Sequence, residues 1–115
     1  MTQPVEQARL AVEEASDRQA SDVVLLDIRG VSDFADYFVI MTAGSVRQLN
    51  ALTEEIEAAL KKAGAVRHHR EGVAASGWVL LDYGDVIVHL FGQNEREFYD
   101  IEDAWSQAVE VVRIQ

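Results

Sequence analysis

Cysteine is absent from this 115-residue sequence, and so are long apolar runs. Without cysteine the chain can have neither a disulfide framework nor a thiolate site. No stretch approaches the roughly 18 consecutive apolar residues of a membrane-spanning helix. The first residues also lack the basic start and apolar stretch of a signal peptide. A chain of this length supports one core, so we expect a cytoplasmic protein with a single domain over residues 1–115.

Basic residues are also scarce, with 10 lysines and arginines against 20 acids and a net charge of −10. Bulk nucleic-acid binding needs cations that displace counterions from phosphates, so this balance argues against it. Basic proteins remain plausible partners because opposite potentials steer their encounter. The acids are concentrated in residues 78–103, which hold seven acids and one arginine. This segment is either a solvated surface or a surface that a partner reads.

The spacing of apolar residues predicts the element order α-β-β-α-β-β-β-α. Ser45 and Gln48 form a capping box ahead of the second helix, and Gly64 is a typical helix stop. The expected fold class is α+β (mixed α/β), with a single five-stranded mixed sheet and three helices. The predicted elements are a helix at 4–19, strands at 22–28 and 36–44, a helix after Ser45, a short edge strand within 65–72, a hairpin at 78–91 and a last helix striped by Phe98, Ile101, Trp105, Ala108 and Val112.

The stretch WVLLDYGDVIVHLF, residues 78–91, predicts a hairpin with Tyr83-Gly84 as a two-residue loop. Side chains alternate across a sheet, so the two faces of this hairpin can be separated. One face is aliphatic and should be core: Val79, Leu81, Val86, Val88 and Leu90. The other face mixes aromatic, aliphatic and acidic groups: Trp78, Leu80, Asp82, Asp85, Ile87, His89 and Phe91. Such a mixture suits a protein interface, although a helix packed over it would make Trp78 an ordinary core residue.

Catalytic chemistry finds little support in the same stretch. A two-carboxylate magnesium site commonly uses an acid-x-acid pair on one strand face, whereas Asp82 and Asp85 are separated by a turn. Gly44-Ser45 could hold a phosphate at a helix start, but that signal is weak by itself. The adjacent His68 and His69 point to opposite faces of a strand and cannot share a metal. We therefore predict no catalytic, cofactor-binding or metal-binding residues. The basic segment 61–70, KKAGAVRHHR, is either a solvated helix end and strand or a minor contact to RNA.

Three motifs occur in the order of a known family. They are DVVLLDIRGVSDFADYFVIMTAGS, GWVLLDYGDVIVHLF and EREFYDIEDAW. Together they resemble the ribosomal silencing factors, the RsfS/Iojap family, from about residue 20 to 105. The resemblance implies a fold similar to nucleotidyltransferases without their catalytic carboxylates. It also implies binding to ribosomal protein L-fourteen on the large subunit, which blocks joining of the small subunit and represses translation. Some members form homodimers.

The resemblance also assigns a partner surface to the sheet and the last-helix region. The matching positions in this chain are Trp78, Leu81, Asp82, Tyr83, Gly84, Asp85 and His89, with Glu95, Arg96, Phe98 and Tyr99. The leading hypothesis is a non-enzymatic translational repressor that acts sterically. Two alternatives remain open: a minimal nucleotidyltransferase-like enzyme using Ser45 with Asp82 and Asp85, and a homodimeric interaction module.

Overall fold

A computed structural model describes residues 3–115, which form one six-stranded sheet with helices on both faces. The strands lie in the order β3-β4-β5-β2-β1-β6, and only β2 and β5 are parallel neighbours. The elements are α1 (Pro4–Asp17), β1 (Ser21–Asp27), β2 (Tyr37–Ala43), α2 (Val46–Lys62), β3 (His69–Glu71), a 3₁₀ turn (Ala74–Ser76), β4 (Trp78–Asp82), β5 (Val86–Gly92), α3 (Gln93–Tyr99), α4 (Ile101–Ala104) and β6 (Val109–Ile114).

Helices α1 and α2 cover one face of the sheet, which we call the first face. Pro4 occupies the first turn of α1, where its missing N–H costs nothing. The Ser45 hydroxyl accepts a 3.0 Å hydrogen bond from the backbone N–H of Gln48 and caps α2, as the sequence predicts. The apolar stripe of α2 is buried against this face through Leu49, Leu52, Ile56 and Leu60. The larger of two cores therefore lies between α1, α2 and the sheet.

The β4–β5 hairpin differs from the predicted register. Leu81 lies opposite Val88, and Asp82 lies opposite Ile87 and not opposite Asp85 as predicted. Residues 83–86 therefore connect these paired positions, where the sequence predicted only Tyr83-Gly84. The Asp82 carboxylate accepts a 2.7 Å hydrogen bond from the backbone N–H of Gly84, which closes a local turn with a positive φ of 86° at that glycine. Because the shift is by an even number of residues, the assignment of strand side chains to the two faces survives it.

The prediction of one continuous last helix is wrong, because the helix is interrupted after Tyr99. Asp100 adopts a left-handed φ of 42°, which ends α3 and leaves only the short α4; aspartate tolerates this conformation better than most residues. The final segment then becomes β6 and pairs antiparallel with β1. Its sequence VEVVRI is rich in β-branched side chains, and strand pairing satisfies backbone groups along β1. Val112 therefore belongs to a strand, not to the predicted helical stripe.

The fold class is nevertheless confirmed as mixed α+β with one mixed sheet, although the sheet has six strands and not five. Ile101, Trp105 and Ala108 do pack together, as their spacing indicates, against the second face of the sheet. This smaller core lies over β1, β2 and β5. The two cores together leave one part of the sheet less covered, on the second face near β3 and β4.

Candidate protein-interaction face

The less covered region consists of alternate residues from three neighbouring strands. Glu71 of β3 is registered opposite Leu80 of β4, and His69 opposite Asp82, so these side chains share the second face. Trp78, Leu80 and Asp82 are each half-buried, while His69 and Glu71 are exposed. Phe98 and Tyr99 of α3 stand beside them. We call this set the aromatic–acidic face: His69, Glu71, Trp78, Leu80, Asp82, Phe98 and Tyr99.

Trp78 is the centre of this face and is held by ring contacts on several sides. Its ring stacks on Phe91 with centroids 5.1 Å apart and lies 4.5 Å from the ring of Tyr99. Its indole N–H donates a 3.3 Å hydrogen bond to Nδ1 of His89. Trp78 is thus neither freely exposed nor fully buried. A fixed aromatic with an accessible edge can contribute binding energy at little entropic cost.

His89 supports Trp78 from within the sheet. The imidazole is 5% exposed, and burial lowers its pKa to about 3, so the ring is neutral. An indole N–H can only donate; Nδ1 must therefore be the acceptor, and the proton lies on Nε2. That Nε2 has no hydrogen-bond partner, and the ring of Phe38 lies edge-on at 4.7 Å. His89 therefore positions Trp78 and offers no lone pair to a metal.

The most exposed aromatics come from α3. Phe98 is 80% exposed and Tyr99 46% exposed, with their rings edge to face at 5.0 Å. Large apolar side chains exposed together, beside carboxylates, mark interaction sites more often than ordinary surface. Tyr99 reaches the sheet through its contact with Trp78, whereas Phe98 projects away from it.

The remaining residues of the predicted partner surface lie elsewhere or inside. Leu81 is fully buried in the first-face core, and Tyr83 is 7% exposed in the same core. Burial raises the pKa of the Tyr83 hydroxyl to about 12. Gly84 and the exposed Asp85 form the β4–β5 turn at one end of the sheet. The structure therefore separates Tyr83 from Trp78, and these two rings do not form one patch.

Glu95 and Arg96 hold α3 in place. Glu95 packs closely on Gly77 and Gly92, and a Cβ on either glycine would lie within 2.5 Å of its side chain. The Arg96 side chain is only 9% exposed. Its guanidinium donates at 2.8 Å to the Asp22 carbonyl, to the Thr42 hydroxyl and to the Glu102 carboxylate.

Arg113 of β6 extends this network. It donates to Glu102 at 2.5 Å and also contacts the Asp22 carboxylate. Burial alone would raise the pKa of Glu102, but the hydrogen bonds from Arg113 and Arg96 hold that pKa below its usual value. The network therefore ties α3 and α4 to the strands β1, β2 and β6.

Sequence reasoning missed Glu71 and Phe34 as surface candidates. Glu71 lies opposite Leu80 through the pairing of β3 with β4, which the local sequence does not specify. Phe34 is 56% exposed in the β1–β2 connection, with its ring 5.7 Å from Trp105. No spacing rule assigns a loop residue to a face, so Phe34 gave no usable signal.

The geometry of residues 3–115 gives little support to a metal site or a catalytic site. No group of three or more histidine or acidic side chains there is arranged to hold a metal ion. A cavity of about 220 Å³ lies at the carboxyl ends of β2 and β5, beside Gly44, Ser45 and Glu95. The nearby N–H of Gly44 already donates to the Gln48 side chain at 2.5 Å. Asp82 and Asp85, the carboxylates of the enzyme hypothesis, do not line this cavity.

These features define a small α+β domain whose distinguishing site is an aromatic and acidic face. Comparison with family models matches residues 2–115 to "Ribosomal silencing factor during starvation". The chain belongs to this RsfS family, as the three sequence motifs predicted. A ribosomal silencing factor of Halalkalibacterium halodurans is 37% identical over 100 residues, covering 87% of this chain and 86% of the relative. The chloroplastic Iojap protein of Arabidopsis thaliana is 36% identical over 98 residues, covering 84% of this chain and 40% of that protein.

Solved structures show the same fold. A crystal structure of a Chromobacterium violaceum protein superposes with a TM-score of 0.87 at 33% identity, covering 91% of this chain and 88% of the other. A Bacillus halodurans crystal structure superposes with a TM-score of 0.78 at 32% identity, covering 96% and 98% of the two chains. Family membership supports a ribosome-associated regulator of translation. Among the described residues, no helix is both long and apolar enough to cross a membrane.

Proposed function

We propose that this protein represses translation in the cytoplasm by binding ribosomal protein L-fourteen of the large ribosomal subunit. Once bound, the domain sterically blocks joining of the small subunit. The observation that carries the proposal is the aromatic–acidic face, where Trp78, Phe98 and Tyr99 offer apolar surface beside Glu71 and Asp82. Family membership supports the ribosome as the partner of this protein. The curated relatives are named as silencing factors, which favours a binding function without catalysis.

The energetics of this face suit a basic protein partner. Exposed rings beside a fixed tryptophan supply area that leaves water on docking, at roughly 25 cal/mol per Å². The carboxylates contribute mainly by steering, because exposed charges are screened by water and salt. Within the sequence-predicted set, Trp78, Asp82, Phe98 and Tyr99 are the accessible residues of this face, while the exposed Asp85 lies at the β4–β5 turn. Leu81, Tyr83, His89 and Arg96 support the fold beneath or beside them.

The test is cosedimentation of the purified protein with large subunits. Trp78→Glu places a charge at the centre of the face, and Phe98→Ala removes the most exposed ring. We expect Trp78→Glu to abolish cosedimentation and Phe98→Ala to weaken it about ten-fold, in line with loss of an interface hot spot. A parallel assay mixes both subunits and measures 70S formation, which the unmodified protein should reduce.

Val46→Glu is the matched control, because Val46 is 56% exposed at the start of α2, on the first face of the sheet. It should bind large subunits normally. Circular dichroism checks that all variants remain folded. Phe98→Ala removes only a surface ring, so it still tests the face if Trp78→Glu unfolds. Normal cosedimentation of folded Trp78→Glu and Phe98→Ala would show that the partner uses another surface.

Two further expectations from the sequence remain proposals. Self-association would use the same exposed rings and would then compete with the ribosome, which light scattering with and without large subunits can measure. Contact between residues 61–70 and rRNA would depend mainly on the two lysines of that segment, because Arg67 and Arg70 both pair with Glu57. Lys61 and Lys62 at the end of α2 are the cations to substitute in testing it.

A further inference from the structure

A cavity of about 250 Å³ opens at the edge of the aromatic–acidic face. Its lining combines two aromatic rings, one aliphatic side chain, one carboxylate, one hydroxyl and one glycine: Trp78, Tyr99, Leu80, Glu71, Ser76 and Gly72. The volume is enough for one long side chain and too small for most drug-sized ligands. Its position, between the β3–β4 connection and α3, makes it accessible to an approaching protein.

The walls of this cavity are held in place. The Ser76 hydroxyl donates to the Val73 carbonyl at 2.7 Å and accepts from the backbone N–H of Trp78 at 3.4 Å. Gly72 has a positive φ of 82°, and a Cβ there would collide with the Trp78 carbonyl. The His89 hydrogen bond fixes the indole from the other side. The cavity therefore exists before any partner binds, which lowers the entropic cost of filling it.

The charge of the lining selects among occupants. Glu71 is a carboxylate whose side chain is 66% exposed, and the imidazole of His69 lies 3.2 Å from it. No lysine or arginine lines the cavity. Aromatic faces attract cations, arginine above all, and a carboxylate beside them adds a charge-assisted hydrogen bond. A neutral apolar side chain would gain contact with the rings but would partly desolvate the carboxylate without compensation.

We propose that this cavity is a subsite for one arginine side chain of the protein partner. The guanidinium stacks against Trp78 and Tyr99 and donates to the Glu71 carboxylate, while Leu80 packs against its methylene groups. The inference rests on the proposed function, since it names the chemistry by which the aromatic–acidic face recognises its partner. It makes the cavity the source of specificity, and it gives the exposed rings around it the role of excluding water.

The experiment is an NMR titration of the full chain with small amide probes. The probes are Nα-acetyl-arginine methylamide, the citrulline counterpart, which is neutral and nearly isosteric, and the norleucine counterpart, which is apolar. The reporters are the Trp78 indole N–H and the Gly72 amide. We expect saturable shifts with the arginine probe and much weaker binding of the other two.

Glu71→Gln should weaken binding of the arginine probe about five-fold, the upper range for an exposed ion pair. Glu13→Gln, an exposed position on α1, should leave it unchanged. Equal binding of the arginine and citrulline probes, stronger binding of the norleucine probe, or an unaltered Glu71→Gln variant would each overturn the subsite. Cosedimentation separates this outcome from failure of the proposed function. If Trp78→Glu no longer binds large subunits while the probes show no discrimination, only the arginine subsite is lost.

Discussion

Trp78 and Tyr83 belong to one hairpin, yet their side chains have different roles. Tyr83 is buried against α2 in the first-face core, whereas Trp78 lies half-buried on the second face with an accessible edge. His89 stands behind Trp78 and fixes its ring through a single hydrogen bond. The residues proposed to bind the partner and the residues buried in the first-face core therefore alternate along the same short stretch, because successive strand side chains point to opposite faces.

His89 should make the stability of this protein depend on pH. Its pKa is about 3 in the folded protein because of burial, and near 6.5 in an unfolded chain. Below pH 6.5 the unfolded chain gains a proton that the folded protein does not, so the free energy of unfolding falls. Between pH 6.5 and 5.5 the loss should be about 1 kcal/mol. Urea unfolding at several pH values measures it.

His89→Gln is the control variant, because glutamine does not titrate and its carbonyl can still accept from the Trp78 indole. Its unfolding free energy should lack most of this slope, even if its overall stability is lower. The lowered pKa of Glu102 also reduces stability in acid, but only around and below its ordinary value of 4.5. Parallel slopes for the two proteins between pH 6.5 and 5.5 would refute the assignment to His89.

At the scale of elements, the arrangement of α3, α4 and β6 decides what the second face exposes. Helix α3 ends at Tyr99 with the Phe98 ring exposed, and Trp105, beyond the break at Asp100, lies 5.1 Å from Phe38. Arg96 connects this segment to β1 and β2 through hydrogen bonds to Asp22 and Thr42. The position of the exposed rings thus depends on an ion-pair network that the sequence pattern alone does not predict.

Arg96→Met should loosen this segment. Removal of one partner from a buried charge network leaves the Asp22 carbonyl and the Thr42 hydroxyl without their donor, at a cost of about 3 kcal/mol. Hydrogen exchange should become faster in residues 93–114 than in α1 and α2. Arg9→Met makes the same substitution at an exposed position of α1 and should change neither measurement. Uniform exchange protection in Arg96→Met would show that packing, and not this network, holds the segment.

At the scale of the whole molecule, charge and shape act together. The two helices on the first face leave the second face of β3 and β4 free, and the acids give the chain a net charge of −10. With a basic partner, such a charge accelerates encounter over distances up to about 10 Å at moderate salt. The aromatic rings then determine how long the complex lasts.

Association with large subunits should therefore slow as salt increases. Raising the ionic strength from about 0.05 to 0.3 M should lower the association rate several-fold and change the dissociation rate less. Asp82→Lys should have a lower association rate and a weaker salt dependence than the unmodified protein. Stopped-flow fluorescence of a labelled chain measures both rates. An association rate that is independent of salt would exclude electrostatic steering.

The sequence by itself determined the fold class, the capped helix α2, the two faces of the β4–β5 hairpin and the family. These follow from local periodicity, capping chemistry and motifs, which neighbouring residues encode. Only the tertiary structure decided the hairpin register, the sixth strand and the accessibility of each site residue. A left-handed Asp100 and the free edge of β1 outweighed the helical stripe that continues to Val112. Burial of Tyr83 and exposure of Glu71 likewise depend on which elements pack over each face, and local sequence does not contain that information.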